Sequence, residues 1–276
     1  MAGTRAEPFL AACVQMRSGD RKADNLERAS GFIEAAVARG ARLVVLPEVF
    51  SWRGPASQDP EEAEAIDGPT VTQLRALAQK WAIFVVGGSI LEKPAGTGGL
   101  PFNTSFLIDD RGAIGAIYRK MHLFDVTIPG KVDVRESARR APGEEIVCVP
   151  TRLGRIGLSI CYDLRFPELY RALTKQGAEI ITIPSAFTAH TGAAHWHALL
   201  RARAIENQCY VLAPNQIGPS GQGHHDFGHS SMIDPWGTVI ACAPETEGVI
   251  YAEIDLGFQA RVRSELPCLQ HTRIDR

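Results

Sequence analysis

Short apolar runs alternate with segments of helical periodicity, and this alternation constrains the fold of the 276-residue chain more than any other feature. Residues 9–16, 43–46 and 83–87 have the length and apolar content of strands. Residues 23–40 and 70–81 instead place apolar side chains at the three- and four-residue spacing of a helix. The order β-α-β-α-β is typical of helices packed on a sheet, so the sequence predicts an α/β fold.

The rest of the chain adds antiparallel hairpins to a second set of strands and helices. The predicted elements are a hairpin at 103–118, strands at 145–150 and 155–161, a helix at 166–176, a strand at 179–184, a helix at 194–207, a strand at 209–214, a hairpin at 230–243 and a strand at 248–254. Residues 125–144 and 218–228 are polar or glycine-rich and predict loops. Two such halves predict a four-layer α-β-β-α sandwich, with residues 1–276 forming a single domain. A Gly-x-Gly-x-x-Gly motif is absent from the sequence, which argues against a dinucleotide-binding fold.

Composition excludes several classes of partner. The chain has 29 basic and 31 acidic residues, for a net charge of −2, and no long run of either sign. This balance predicts no binding to nucleic acid or to an anionic membrane surface. No apolar stretch approaches the roughly 18 residues of a membrane span, and the first eight residues are polar, so we expect a cytoplasmic protein.

Cys161 occupies a position where a strand gives way to a helix. The apolar run at 155–160 ends at this cysteine, and Phe166-Pro167 opens the next helix. A side chain at such a corner lies at the carboxyl end of the sheet, near backbone N–H groups that favour negative charge. We therefore predict a nucleophilic thiol with a lowered pKa. A cysteine that is merely packed at a strand end is the alternative, and this position alone leaves it open.

Glu48 and Lys120 also directly follow apolar runs, at residues 43–47 and 114–118. Strand ends on one edge of a sheet bring together residues that are distant in sequence. A carboxylate there can act as general base and then as acid, and a lysine can stabilise an oxyanion. The alternative is a solvated ion pair at the loop mouths, and the residues alone do not decide between the two.

Several short motifs occur together in one order along nearly the whole chain. They are Leu-Pro-Glu at 46–48, Pro-Phe-Asn-Thr at 101–104, Tyr-Arg-Lys at 118–120, Lys-Met-His-Leu-Phe-Asp at 120–125, Cys-Tyr-Asp-Leu-Arg-Phe-Pro-Glu at 161–168, Pro-Ser-Ala-Phe at 184–187, Leu-Arg-Ala-Arg-Ala-Ile-Glu-Asn-Gln at 200–208, Gly-His-Ser at 228–230 and Asp-Pro-Trp-Gly at 234–237. Each motif is weak by itself, but the set is specific. With it the chain resembles the Nit branch of the nitrilase, or carbon–nitrogen hydrolase, superfamily.

The resemblance implies a Glu-Lys-Cys catalytic triad. Glu48 would be general base and acid, Lys120 the oxyanion stabiliser and Cys161 the nucleophile. Glu136 matches a second glutamate of the family and would orient Lys120 or the substrate. The carbonyl oxygen would rest between Lys120 and the backbone N–H of Tyr162. The family fold is the four-layer sandwich, usually paired into an αββα-αββα homodimer or a higher oligomer, and its chemistry requires no cofactor.

The resemblance also implies a small amide as substrate. Within the Nit branch the chain resembles the amidases that cleave deaminated glutathione to 2-oxoglutarate and cysteinylglycine more than it resembles the ω-amidases. An ω-amidase acting on 2-oxoglutaramate-type acids is the alternative, and nitrile hydrolysis is a third possibility. His197 departs from the glutamate that commonly follows the tryptophan in similar sequences, which leaves the pocket assignment open. From a different class, the rivals are a non-catalytic interaction module and a redox-sensing thiol protein.

Four residues just past strand ends are candidates to shape the pocket: Arg165, Phe187, Thr191 and Trp196. An arginine there would suit an acidic substrate, while core packing is an equal alternative for Phe187 and Trp196.

We predict no metal site. The six cysteines contain no Cys-x-x-Cys pair. His195 and His197 are two residues apart on a predicted helix and therefore point to nearly opposite sides. His224, His225 and His229 fall in a predicted loop and add no metal-ligand spacing.

Overall fold

The computed structural model describes residues 7–96, 98–221 and 223–274. The first half of the chain contains β1 (Phe9–Gln15), α1 (Lys22–Ala38), β2 (Ala41–Val45), α2 (Asp59–Glu62), α3 (Pro69–Trp81), β3 (Phe84–Val86), β4 (Ile90–Glu92), β5 (Phe102–Ile108), β6 (Ile114–Arg119), β7 (Asp125–Ile128) and β8 (Val132–Arg135). The second half contains β9 (Cys148–Thr151), β10 (Gly154–Leu158), α4 (Pro167–Lys175), β11 (Ile180–Thr182), α5 (Ala189–Asn207), β12 (Tyr210–Ala213), β13 (Ile217–Pro219), β14 (His225–Phe227), β15 (Ser231–Ile233), β16 (Val239–Cys242), β17 (Gly248–Ile254) and α6 (Leu256–Glu265). None of the helices in these ranges combines the length and the hydropathy that a bilayer span requires.

Two main sheets contain most of the strands. The first has seven strands in the order β17-β1-β2-β3-β5-β4, with β6 paired to the other side of β5. The second has six strands in the order β16-β15-β12-β11-β10-β9. In each sheet three consecutive strands are parallel, β1-β2-β3 in the first and β10-β11-β12 in the second. Parallel strands end at the same edge, so each sheet presents several strand termini to one side.

The two faces of the first sheet contact different layers. Along β1, Ala11 and Cys13 belong to the core cluster shared with the second sheet, whereas Ala12 and Val14 pack with α1 and α3. This separation follows from the two-residue alternation of side chains along a strand. On the outer side of the second sheet, α4 and α5 bury apolar residues that include Leu173. The predicted α-β-β-α layering is confirmed.

The prediction of unstructured loops at 125–144 and 218–228 is wrong. The first segment forms the β7–β8 hairpin, in which Val126 pairs with Val134 and Ile128 pairs with Val132. A 3₁₀ turn, Glu136–Ala138, follows directly. The second segment contains the short β13–β14 hairpin. Apolar and polar residues do alternate in the first segment. Each of its strands has only four residues, however, and the segment as a whole is polar, so the alternation was too short to predict a strand.

Several boundaries also differ from expectation. Strand β10 ends at Leu158, and Cys161 begins a separate 3₁₀ turn, Cys161–Arg165, before α4. Helix α5 starts at Ala189 rather than at residue 194. The short strand β4 was not predicted.

A close backbone approach at Gly88 positions the turn that carries Glu48. Gly88 has φ +52°, and a Cβ at this position would lie 2.0 Å from the carbonyl oxygen of Pro47. Only glycine tolerates this contact in the left-handed conformation. The next residue, Ser89, accepts a hydrogen bond through its Oγ from the Val49 N–H at 2.8 Å. The β3–β4 connection therefore holds the chain on both sides of Glu48.

Candidate active site

Three strand ends from two sheets converge on one pocket. Glu48 follows β2, Lys120 follows β6, and Cys161 follows β10 through a short link. All three are buried and line the same pocket. The structure thus brings together the three residues that the sequence suggested from their strand-end positions.

Lys120 bridges two carboxylates. Its Nζ donates to Glu48 Oε1 and to Glu136 Oε2, each at 2.9 Å, and the residue is 2% exposed. Burial alone would lower the pKa of Lys120, but the negative charges of Glu136 and Glu48 outweigh it and raise the pKa above its ordinary value. The ammonium group therefore stays charged. It occupies the space between the two carboxylates.

Three donors fix the orientation of the Glu48 carboxylate. Oε1 accepts from Lys120 and from Asn103 Nδ2, the latter at 2.8 Å. Oε2 accepts from the backbone N–H of Ala186, also at 2.8 Å. A carboxylate held by three donors keeps one geometry, which is what a proton acceptor for a neighbouring thiol requires.

Cys161 has an unusual backbone conformation. Its φ is +46°, in the left-handed region that residues with a Cβ rarely adopt. The Cys161 N–H donates to the carbonyl oxygen of Pro184 at 2.9 Å, which ties the corner to the segment after β11. Such strain persists only where the surroundings impose it, and it is common at functional sites. The turn directs the sulfur, in a residue that is 8% exposed, toward Glu48 and Lys120.

The expectation of a lowered thiol pKa at Cys161 is wrong. Burial raises the pKa well above its ordinary value, and the nearby charge of Glu48 and a hydrogen bond with it raise it further. The charge of Lys120 lowers it but does not compensate. The raised pKa favours the neutral thiol over the thiolate, and burial is its largest cause.

Asp163 links the cysteine turn to the strand end that carries Lys120. Its Oδ2 accepts from the Tyr118 hydroxyl at 2.7 Å and from the Ile160 N–H at 2.8 Å. Its Oδ1 accepts from the His122 N–H at 3.1 Å and lies 2.7 Å from His122 Nδ1. Asp163 was not among the predicted site residues. Its position two residues after Cys161, in the motif at 161–168, could have indicated it.

Glu136 lies at the centre of a second set of charges. It accepts from Lys120, from Arg140 NH1 at 2.9 Å and from the Phe124 N–H at 2.7 Å. Burial alone would raise the pKa of Glu136, but the charges of Lys120 and Arg140, with the Phe124 N–H, lower it to about 2. Arg140 in turn pairs with the buried Asp59 at 3.2 Å.

The lowered pKa of Glu136 predicts acid-sensitive stability. Ionised Glu136 contributes its full stabilisation above the ordinary carboxyl pKa of about 4.5, and this contribution is lost as the pH falls toward about 2. We expect Glu136→Gln to flatten the plot of unfolding free energy against pH between these values, as measured by urea denaturation. The control is Glu34→Gln, which removes the carboxylate of an exposed ion pair and should leave the plot parallel to that of the wild type. Equal slopes for wild type and Glu136→Gln would contradict the assignment.

The structure distributes the other sequence candidates unequally. Tyr162, Phe187 and Thr191 line the pocket. Trp196 is fully buried behind Phe187, with ring centroids 5.1 Å apart, and donates its Nε1–H to the carbonyl oxygen of His229. Arg165 lies over the rings of Tyr162 and Phe187, at 5.8 and 5.2 Å from their centroids. Arg165 and Trp196 do not line the pocket themselves. Each of them contacts a side chain that does.

Four further basic residues line the pocket and were missed from the sequence: Arg53, Arg139, Arg140 and His224. Arg53 pairs with the buried Asp226 at 2.5 Å, and Arg139 shares Asp59 with Arg140. The buried Nε–H of Arg53 has no hydrogen-bond partner among the described residues. None of these arginines stands at a strand end, so local pattern offered no signal for them. Together with Lys120 they give the pocket lining more basic than acidic groups.

Comparison with known proteins identifies the family of this chain. Residues 10–264 match the family described as carbon-nitrogen hydrolase. A deaminated glutathione amidase from Synechocystis is 44% identical over 96% of this chain and 98% of its own length. Human omega-amidase NIT2 is 38% identical over 97% of this chain and 96% of its own length. The crystal structure of Nit3 from Saccharomyces cerevisiae, a member of the nitrilase superfamily, superimposes with a TM-score of 0.88 at 35% identity, covering 98% of this chain and 100% of that one. This chain belongs to the carbon-nitrogen hydrolase family.

Proposed function

We propose that this chain is an amidase that hydrolyses a small carboxylated amide through a thioester on Cys161, with deaminated glutathione as its substrate. The observation that carries the proposal is the set of contacts joining Glu48, Lys120 and Cys161 in one buried pocket. Similarity to the deaminated glutathione amidase of Synechocystis supports the choice of substrate.

The first half of the reaction forms the thioester. Glu48 accepts the Cys161 proton while the sulfur attacks the amide carbon, since a thiol with a raised pKa needs its base during the attack. The carbonyl oxygen becomes an oxyanion beside the Lys120 ammonium group and the Tyr162 N–H. Glu48 then gives the proton to the amide nitrogen, the carbon–nitrogen bond breaks, and the amine leaves.

The second half hydrolyses the thioester. Glu48 accepts a proton from water as the water oxygen attacks the thioester carbon, and Lys120 again faces the oxyanion. The carbon–sulfur bond breaks, Cys161 regains its proton, and the acid departs. Dividing one difficult displacement into two easier steps is the gain of this route.

Glu136 and Arg140 act on the reaction through Lys120. Two hydrogen bonds, to Glu48 and to Glu136, hold the ammonium group in place, so its position does not depend on substrate. The ion pair of Glu136 with Arg140 keeps Glu136 charged. We assign Glu136 a positioning role.

An acidic substrate suits the charges of the pocket. Deaminated glutathione carries a carboxylate on each side of its scissile amide, whereas 2-oxoglutaramate carries one only on the acyl side. Arg53 and Arg139 are basic residues of the lining, and Arg165 extends over the pocket aromatics Tyr162 and Phe187. We assign Arg165, which lies just outside the pocket lining beside Tyr162 and Phe187, to the carboxylate on the leaving-group side, because guanidinium binds carboxylate through paired donors.

Comparing two substrates tests this proposal. We expect kcat/KM for deaminated glutathione to exceed that for 2-oxoglutaramate by about tenfold or more, since one additional charge-assisted contact contributes about 1.5–3 kcal/mol. Arg165→Gln should lower the first value by about tenfold and leave the second nearly unchanged. The measurement is steady-state kinetics with both amides on wild type and variant. A preference for 2-oxoglutaramate in the wild type would reject deaminated glutathione as the substrate.

The ω-amidase activity is the second candidate. Human omega-amidase NIT2 covers nearly the whole chain at 38% identity, only slightly below the identity to the Synechocystis amidase. Both activities use the same bond cleavage and therefore the same proposed triad. The ω-amidase function would be favoured if the wild type preferred 2-oxoglutaramate and Arg165→Gln had no effect on either substrate.

Two features argue against the non-enzymatic alternatives. A redox-sensing cysteine depends on thiolate character, and the pKa of Cys161 is raised rather than lowered. A degenerate family member used only for interaction has no need of an intact site, yet Glu48, Lys120 and Cys161 are all present and face one pocket.

We also propose a homodimer or higher homo-oligomer and a cytoplasmic location for the chain. The first rests on the family resemblance, which implies pairing through the outer helices. Exposed apolar side chains on α5 and on the turn before β16, Ile205 and Trp236, offer a surface for such pairing. The second is supported by the six cysteines, none of which is paired in a disulfide, as is usual for proteins of a reducing compartment.

A further inference from the structure

Two histidines and a cysteine meet on the outer side of the second sheet. His197 lies on α5, His229 lies between β14 and β15, and Cys242 ends β16. One potential ligand atom from each lies within 4.8 Å of the other two. The histidines are partly buried and the cysteine is exposed, so solvent reaches the cluster. None of the three lines the pocket described above.

A carboxylate lies beside this cluster. Glu245 Oε1 is 3.6 Å from His229 Nε2, and its side chain is largely exposed. Four side chains from three different segments therefore offer two imidazole nitrogens, a sulfur and an oxygen.

We propose that His197, His229 and Cys242 bind one Zn²⁺ ion, with Glu245 as the fourth ligand. Imidazole, thiolate and carboxylate are the ligands that zinc takes in tetrahedral sites. On binding, the Cys242 thiol loses its proton to solvent and its sulfur bonds to the metal.

The geometry requires only small movements. Bond lengths of 2.0–2.3 Å place the ligand atoms of a tetrahedral zinc site roughly 3.3–3.8 Å apart. The 3.6 Å between His229 and Glu245 already falls in this range, and the separations of up to 4.8 Å must close by about 1 Å. Rotation of the Cys242 side chain in solvent can supply this.

The backbone at His229 is held firmly, which favours a preformed site. His229 has φ +51°, and its carbonyl oxygen accepts from Trp196 Nε1 and from Ser231 Oγ, each at 2.8 Å. Such outer contacts orient a ligand residue before the metal arrives. Because Trp196 adjoins His197 in sequence, the same contacts fix the distance between the two histidine backbones.

Metal titration of the purified full chain tests the proposal. The background carries Cys161→Ala, so that the pocket thiol cannot bind the ion. We expect one Zn²⁺ per chain in a competition assay against a chromophoric chelator, and a thiolate-to-metal absorption band when Co²⁺ replaces Zn²⁺. Cys242→Ser should abolish the band.

Variants of the individual ligands complete the test. Loss of an outer contact weakens metal affinity about 10- to 100-fold, so loss of a ligand in Cys242→Ser or His197→Gln should weaken it by about 100-fold or more. Cys268→Ser, at an exposed cysteine elsewhere, is the matched control and should bind zinc as before. Circular dichroism would verify that each variant is folded. Failure of the wild-type site to bind one Zn²⁺, or unchanged affinity in both ligand variants, would overturn the proposal.

Discussion

Cys161→Ala should lose turnover by a factor on the order of 10⁶ in kcat, as when the nucleophile of other covalent hydrolases is removed. The alanine cannot form a thioester, and the remaining pocket groups only bind and polarise the amide. Stability should change by about 1 kcal/mol or less, because a single sulfur atom is lost at the pocket wall. The measurements are steady-state kinetics, thermal unfolding, and mass spectrometry of the acylated Cys161 peptide in the wild type.

Cys13→Ala is the matched control for this variant. Cys13 is fully buried between the sheets and does not line the pocket. Its substitution leaves a small cavity. We expect it to lower stability by about 1 kcal/mol and to retain turnover, which is the opposite pattern. Hydrolysis at an undiminished rate by Cys161→Ala, or an acyl group on another residue, would refute the thioester route.

Lys120→Met should impair both turnover and stability. Removing the ammonium group leaves Glu48 and Glu136 buried together with less positive charge, and breaking such a pair costs about 3–5 kcal/mol. Loss of an oxyanion donor lowers kcat by about 10²–10³ at least. Kinetics and urea denaturation measure the two effects. Lys80→Met, which breaks an exposed pair with Glu34, should change stability by about 0.5 kcal/mol or less.

The pH dependence of Lys120→Met separates its charge effect from its packing effect. Without Lys120, one of the two carboxylates acquires a pKa above its unfolded value, so the variant loses stability as the pH rises through that pKa. The difference in unfolding free energy between wild type and variant should therefore be largest at pH 8 and smaller near pH 5. A pH-independent difference would indicate lost packing alone.

A double variant distinguishes structural from chemical loss. Adding Glu136→Gln to Lys120→Met removes one of the two buried carboxylates that Lys120 paired with, so stability should partly recover. Turnover should not recover, because the oxyanion donor is still missing. Recovery of both stability and turnover would mean that Lys120 serves only to balance the charge of the carboxylates, and its assigned role at the oxyanion would be wrong.

Residue type and strand-end position suggested candidates for the centre of the site, and the family resemblance selected the triad among the open alternatives. Glu48, Lys120 and Cys161 each follow an apolar run, and the two packed sheets bring these three strand ends to one pocket. Periodicity likewise predicted the layers, because alternation along β1 assigns Ala12 and Cys13 to opposite faces. These features are local, so they can be read from the sequence.

The residues around the centre depend on contacts that no local pattern encodes. Arg140 pairs with Asp59, 81 residues away, and Arg53 with Asp226, 173 residues away. The cluster of His197, His229 and Cys242 is not visible in the sequence for the same reason. His195 is the histidine next to His197 along the chain, whereas the neighbours of His197 in space are His229 and Cys242.

The sequence by itself determined which side chains stand at the ends of strands and which strand faces are apolar, because both follow from periods of two to four residues. Only the tertiary structure decided the pKa shifts of the site. It placed Lys120 between Glu48 and Glu136, which raises the pKa of Lys120 and lowers that of Glu136, and it buried Cys161 beside Glu48, which raises the pKa of the thiol. A pKa depends on charges and solvent within a few ångströms, and here those charges come from segments 16 to 113 residues apart in the chain.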